Sequence, residues 1–233
     1  MPGTHHGISK LEKLSCPRAY YYEHVLGLEQ PPSLAVVLGS AWHALLASRY
    51  HAHVALPLAE AINAGLTCPE LAASPQFYDQ VATELRRIAP AYWERFGTSA
   101  TDEEFDVLRV EVEHEMQIRT APEATEAGES EEESEEETFT VPLTGRLDAI
   151  VRDCSTGRLF VLEHKTAGWL RPAVFLVAHQ LTGYTLLAED LMQEPCAGVL
   201  MNVAIKTKVP SFYRELYLRS PAQQADFARQ LTW

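Results

Sequence analysis

The chain has 233 residues, 46% of them hydrophobic, and a formal net charge of −13. That suits one compact domain of ordinary to large size, or a domain with an appended piece. No run of about 18 apolar residues is present, which argues against a membrane span. The opening MPGTHHGISK lacks the apolar core of a signal peptide, so a cytoplasmic protein is expected.

Ser9 with Glu12 fits a capping box opening a short helix. Pro17 suits the first turn of a second helix, CPRAYYYEHVLG, stopped by Gly27. After the Pro31-Pro32 turn comes a long apolar helix, roughly Leu34 to His53, and two more near Pro57–Gly65 and Gln76–Phe96. From Asp106 to Thr120 the pattern alternates. Val110, Val112, His114, Met116 and Ile118 fall on one side, and Arg109, Glu111, Glu113, Glu115 and Gln117 on the other. That is the period of a half-buried strand. The segment EATEAGESEEESEEE, Glu123 to Glu137, holds nine glutamates and no Lys or Arg; without them the net charge is only −4. So few apolar groups cannot offset the entropy of ordering, which predicts a solvated, disordered insertion at about 121–138. TFTVPLTGRLDAIVRD and GRLFVLEHKT read as two further strands, followed by a helix from about Ala173 to Met192. Two more strands, AGVLMNVAIKTK and SFYRELYLRS, precede a final helix opening at Ser220-Pro221. The order predicts an α/β core over 104–233 behind a helical N-terminal region, 1–103.

Between the second and third strands, DCSTGR is a hairpin turn. With Ser155 and Thr156 at its tip, Asp148 faces Glu163 across the ladder, about 5 Å apart between β-carbons. A bulge at Gly157 would shift that pairing by one. Lys165 shares their face, two residues on, whereas His164 points the other way. Two opposed carboxylates repel each other, and a cation between them removes the penalty. Such a hard oxygen site suits Mg²⁺ or Mn²⁺. A neighbouring ammonium can help activate a water and offset charge on a phosphate. The plain alternative is a cross-strand salt-bridge cluster.

GRLDAIVRD, a short turn and GRLFVLEHKTAG together resemble the PD-(D/E)XK nuclease superfamily. The nearest resemblance is to its RecB-like branch, which includes the AddB nuclease domain and CRISPR-associated exonucleases. LEKLSCPRAYYYEHVLGLE is similar to the branch's helix around a CPR-aromatic motif, LGSAWHALL to its GxxxH helix, and HQLTGY to its Q-x-x-x-Y motif. The resemblance covers about residues 9–205. It implies a restriction-endonuclease-like fold, a mixed central sheet flanked by helices, and a Mg²⁺- or Mn²⁺-dependent phosphodiesterase acting on DNA. Exonuclease action on single strands or duplex ends is implied, in recombination, repair, phage DNA processing or CRISPR adaptation, with protein partners in such complexes. Asp148 and Glu163 would be metal-binding carboxylates, Lys165 the catalytic lysine, and His43 a further ligand. The backbone carbonyl of His164 would complete the site. Gln180 and Tyr184, four apart on one helix face, would position the lysine or the nucleic-acid backbone. Glu111 would be an additional acidic contact.

Each motif also has a bland reading. His43 on an apolar helix can be a core histidine, and Gln180 with Tyr184 a helix-face pair. Glu111 is one of several alternating glutamates. Tyr20, Tyr21 and Tyr22 beside Arg18 are expected to serve helix packing rather than base stacking. The cysteines Cys16, Cys68, Cys154 and Cys196 are scattered, with no CxxC, so neither structural zinc nor a disulfide scaffold is expected. Only Cys16, in the CPR motif, matches an iron–sulfur ligand position of the branch. No cysteine follows Cys196, so a cluster from this chain alone is not expected. The last helix still reads as helix at Trp233, so ligands beyond it stay open. The rival to a nuclease is a non-catalytic nucleic-acid-binding or assembly module that keeps the fold; hydrolysis of another phosphoester is a third reading.

Overall fold

Helices cover both faces of a six-stranded mixed sheet in the computed structural model, which describes residues 6–8, 16–28, 31–51, 56–96, 104–120 and 139–231. The chain begins with β1 (His6–Gly7) and α1 (Pro17–Tyr20), which runs on as a π-helical turn, Tyr21–Val25. Then come α2 (Leu34–His51), α3 (Leu58–Leu66), α4 (Pro69–Ala72), a 3-10 turn (Pro75–Phe77) and α5 (Tyr78–Phe96). The sheet follows with β2 (Phe105–Thr120), β3 (Phe139–Asp153) and β4 (Leu159–Ala167). α6 (Pro172–Leu176) and α7 (His179–Met192) cross over to β5 (Cys196–Ile205), and β6 (Ser211–Leu218) and α8 (Pro221–Gln230) close the chain.

Neighbours run β1-β3-β4-β5-β6, with β2 on the other edge of β3. β4 and β5 are parallel, joined by the helical crossover such pairs require. The hairpin keeps the register the sequence predicts, without the one-residue shift. Arg152 pairs with Leu159 and Ala149 with Leu162. Asp153 closes the turn, its N–H donating to the Arg158 carbonyl at 3.0 Å. Its carboxylate accepts from the backbone N–H groups of Ser155 and Thr156. Gly157 takes φ +70°, which glycine adopts at no steric cost.

Pairing of β3 with β4 stops at Ala149, whereas β1 pairs with the same strand at Leu143 and Thr144. Two partners thus share one edge of β3, and the stretch between them, with Asp148, is left open. This fork positions the site.

The core lies on both sheet faces. On one, α2 packs Trp42, Leu45 and Tyr50 with Leu85 and Tyr92 of α5 against Val151, Phe160 and Leu162. α2 is apolar around most of its circumference, as a buried helix must be. On the other face, Leu181 and Leu187 of α7 and Phe227 of α8 cover Leu147, Val161 and Val199.

Several expectations need correction. The helix expected over 173–192 is two pieces. The buried Arg219 guanidinium donates to the Phe175 carbonyl at 2.8 Å, the group that the His179 N–H would otherwise claim. α6 ends there and α7 restarts from an extended Ala178. Tyr21 and Tyr22 are not packed between helices among the described residues; they are 49% and 42% exposed, with Arg18 hydrogen-bonded to the Tyr22 hydroxyl. β1 has no signal in the hydrophobic pattern, because it is two residues long. The Ser9–Glu12 capping box and the acidic insertion lie outside the described residues. Among the described residues, no helix is long and apolar enough to cross a membrane.

Candidate active site

At the fork, the His164 N–H on the β4 edge has no β3 carbonyl to meet. It donates instead to Asp148 Oδ2 at 2.7 Å. The other oxygen, Oδ1, lies 2.9 Å from His43 Nδ1 on α2. Asp148 is thereby fixed between a strand backbone and a helix side chain, with 8% of its surface exposed. Glu163, 2% exposed, ion-pairs through Oε1 with Lys165 Nζ at 2.6 Å. Lys165 Nζ lies 3.4 Å from Gln180 Oε1, and Gln180 Nε2 donates to the Tyr184 hydroxyl at 3.0 Å. The site is therefore reached from both faces of the sheet: His43 comes from α2 and the Gln180–Tyr184 pair from α7.

Glu111 joins from β2. It lies between the pairs Val110–Ala149 and Val112–Leu147, across from Asp148, with a left-handed φ of +50°. Its carboxylate binds Arg146 Nε at 2.6 Å. His43, Glu111 and Asp148 each offer one ligand atom, all within 4.8 Å of one another. The tight cluster is thus built around Glu111, while Glu163 sits with Lys165 beside it. Glu111 read as one of several alternating glutamates because the sequence does not show its backbone turning over. Arg146, which no motif singles out, bridges this group to solvent.

Four site groups are shifted from their ordinary protonation behaviour. Burial, and then the charge of Asp148, raise the pKa of Glu163; Lys165 offsets only part of this. Burial and Asp148 likewise raise Glu111, against the pull of Arg146. Burial would raise Asp148 too, but the charge and hydrogen bond of His43 outweigh it and hold the carboxyl low. Burial would lower His43, and the same partner raises it instead. The site is short of positive charge. Glu163 Oε2 is buried with no hydrogen-bond partner, a costly state for a carboxylate oxygen. An orphaned oxygen beside two carboxylates and an imidazole fits a hard divalent cation such as Mg²⁺ or Mn²⁺.

The His164 side chain points away from Glu163 and Lys165, as the strand period predicts, and lies on the α2 side, its ring edge-on to His43 with centroids 6.1 Å apart. It stacks on Tyr50, with ring centroids 5.6 Å apart, and its Nδ1 receives Asn202 Nδ2 at 2.9 Å. Burial brings its pKa down to about 3, so the ring is neutral. Asn202 Nδ2 also donates to Tyr92, which meets Tyr50 at 3.1 Å. This buried network ties β4 and β5 to α2 and α5 beneath the site.

A cleft of about 760 Å³ opens onto the cluster, lined by Gly39, His43, Ala47, Glu111, Arg146 and Asp148. Gly39 stands one turn before His43. A β-carbon there would meet nothing within 4 Å, so the glycine widens the approach rather than easing a packing contact.

Comparison with known proteins places this architecture. A family model described as the PD-(D/E)XK nuclease superfamily matches residues 8–232. No curated protein gives a significant match. Solved structures that match include a candidate exonuclease from Eubacterium rectale, 11% identical, covering 97% of this chain and 77% of that one with a TM-score of 0.50. Another is SSO0001, 14% identical over 95% and 84% of the two chains, with a TM-score of 0.33. With the family match spanning nearly its whole length, and a mixed sheet flanked by helices, the chain belongs to the PD-(D/E)XK nuclease superfamily.

Proposed function

We propose that the chain is a divalent-metal-dependent deoxyribonuclease of the RecB-like branch. It would act as an exonuclease on single strands or duplex ends, in recombination, repair, phage DNA processing or CRISPR adaptation. The observation that carries this reading is the meeting of Asp148, Glu163 and Lys165 with His43 and Glu111 where β3 and β4 part. Branch membership is supported by motif order: the GxxxH helix supplies His43, and the Q-x-x-x-Y helix supplies the partner of Lys165.

His43, Asp148 and Glu111 would hold Mg²⁺ or Mn²⁺, with Glu163 and the His164 carbonyl beside them. When bound, the ion withdraws charge from the phosphoryl oxygens and stabilises what builds there during displacement. Lys165 holds its ammonium near the reacting phosphate and orients the attacking water. Glu163 Oε1 and Gln180 Oε1 restrict where that ammonium can sit, and the Tyr184 hydroxyl restricts Gln180 in turn. Arg146, at the cleft wall, is placed to meet a neighbouring phosphate.

End-labelled single- and double-stranded DNA, incubated with Mg²⁺, Mn²⁺ or chelator, tests this. Metal-dependent release of short products by the wild type, and none by Asp148→Asn, is expected. Wild-type protein that leaves both substrates intact in either metal overturns the reading.

A further inference from the structure

β4 and β5 end level with each other: Ala167 pairs with Ile205, and the Lys206 N–H donates to the Ala167 carbonyl at 2.7 Å. Just past that rim stands Trp169, 64% exposed. Large aromatic rings normally bury most of their surface. Among the described residues its ring is met by Arg171, whose guanidinium carbon lies 3.7 Å from the ring centroid. The arginine holds the ring in place and leaves much of its surface to solvent.

The charge around this pair is unlike that of the rest of the chain. Residues 164–188 contain no Asp or Glu and carry Lys165 and Arg171; residues 195–213 contain none and carry Lys206 and Lys208, with Asp79 and Glu84 of α5 sharing a hollow with Lys206. A chain with 32 acidic residues and a net charge of −13 thus keeps the two segments leaving its parallel strands free of carboxylates. Trp169 is also close to the chemistry. It lies four positions after Lys165, so their α-carbons are at most about 14 Å apart, within reach of a few nucleotides.

An exposed aromatic with a stacked guanidinium, on a segment without acidic residues beside a phosphodiester site, matches what unpaired nucleotides require. Base faces stack on the ring and phosphates meet the cations. A duplex hides those faces inside its own stack. We infer that Trp169, braced by Arg171, is a stacking platform that receives an unpaired base of the strand entering the site, making single-stranded DNA or a frayed end the preferred substrate. The choice of strand rests on the nuclease reading; the platform itself rests on the rim.

Fluorescence anisotropy in chelator separates the two, since no cleavage occurs there. The probes are a labelled oligothymidylate of about fifteen nucleotides and a blunt duplex of the same length. Trp169→Ala should weaken oligothymidylate binding roughly 10- to 100-fold, the scale of one lost base–aromatic stack. Duplex binding should change less than about twofold, and Trp169→Phe should recover most of the loss. Because the side chain is exposed, the melting temperature should not move. Unchanged oligothymidylate affinity in Trp169→Ala, or an equal loss on the duplex, overturns the platform and leaves the nuclease standing. Wild-type cleavage by Lys165→Ala strikes the nuclease mechanism and leaves the platform standing.

Discussion

Glu111 faces Asp148 from the neighbouring strand while its own backbone is left-handed, at φ +50°. A non-glycine residue held there costs on the order of 1 kcal/mol, so the strand accepts strain where the acidic cluster forms. Glu111→Gly removes the strain and adds glycine's own entropy cost of about 0.5–1 kcal/mol, and should melt close to the wild type. Glu111→Ala keeps the strain but carries no such entropy cost, so its stability should lie within about 1 kcal/mol of the glycine variant's. Both should bind Mn²⁺ at least about tenfold more weakly by calorimetry, because a carboxylate is lost from the cluster. A glycine variant less stable than Glu111→Ala by the full entropy cost of about 0.5–1 kcal/mol would show that the left-handed backbone is not costly.

In the proposed mechanism Lys165 meets the phosphate and Gln180 acts through Lys165. Lys165→Ala should abolish cleavage yet leave DNA affinity nearly intact. Gln180→Ala leaves the ammonium in place but less constrained, so kcat should fall by about 10- to 100-fold with KM little changed. Tyr184→Phe removes only the hydroxyl behind Gln180 and should cost less than Gln180→Ala. Single-turnover kinetics checks this order.

Asn202 serves both His164 and Tyr92 from within the core. Asn202→Ala strands their buried polar atoms and should destabilise the fold by about 1–3 kcal/mol in urea denaturation. Asn202→Asp would place an unpaired carboxylate there and should be worse. A variant as stable as the wild type would mean the network contributes nothing.

The cysteines offer a pH test remote from the site. Cys196 is buried, and desolvation pushes its thiol to about 12 from an ordinary 9.0. The unfolded chain therefore loses that proton from about pH 9 upward while the folded chain keeps it. Stability is full below that pH and falls as it rises, by up to about 1.4 kcal/mol per unit. Between about pH 8 and 10, the urea midpoint of the wild type should drop more than that of Cys196→Ala. At neutral pH, Cys16 and Cys154, both exposed, should react with a thiol reagent in the folded protein, whereas Cys68 and Cys196 should need denaturant.

Much of this arrangement was readable in the residue order because local rules determine it. The DCSTGR turn sets the hairpin register, and the two-residue strand period then sends Glu163 and Lys165 one way and His164 the other. Ser220 and Gln223 form a capping box where the last helix opens. What was not readable depends on partners distant in the chain. The break after α6 comes from Arg219. The exposure of Tyr21 and Tyr22 depends on what packs around them, and no pattern within the helix encodes that. The rise of Glu111 from one of several alternating glutamates to a member of the acidic cluster depends on a single φ, which no spacing rule records. Trp169 gave no periodic signal, since its surroundings lie on two loops brought level by parallel strands.

Ile8 is buried between two glycines. A β-carbon on Gly183 would approach its Cδ1 to 2.9 Å, and one on Gly145 to 3.1 Å. Gly183 immediately precedes Tyr184 on α7, so a residue from the opposite end of the polypeptide acts as a wedge setting how that helix seats on β3. Ile8→Ala should therefore loosen how α7 seats behind Lys165 while β1 still pairs with β3 beside Asp148. An N-terminal deletion chosen for convenience in the laboratory would lose this wedge and the β1 arm of the fork together.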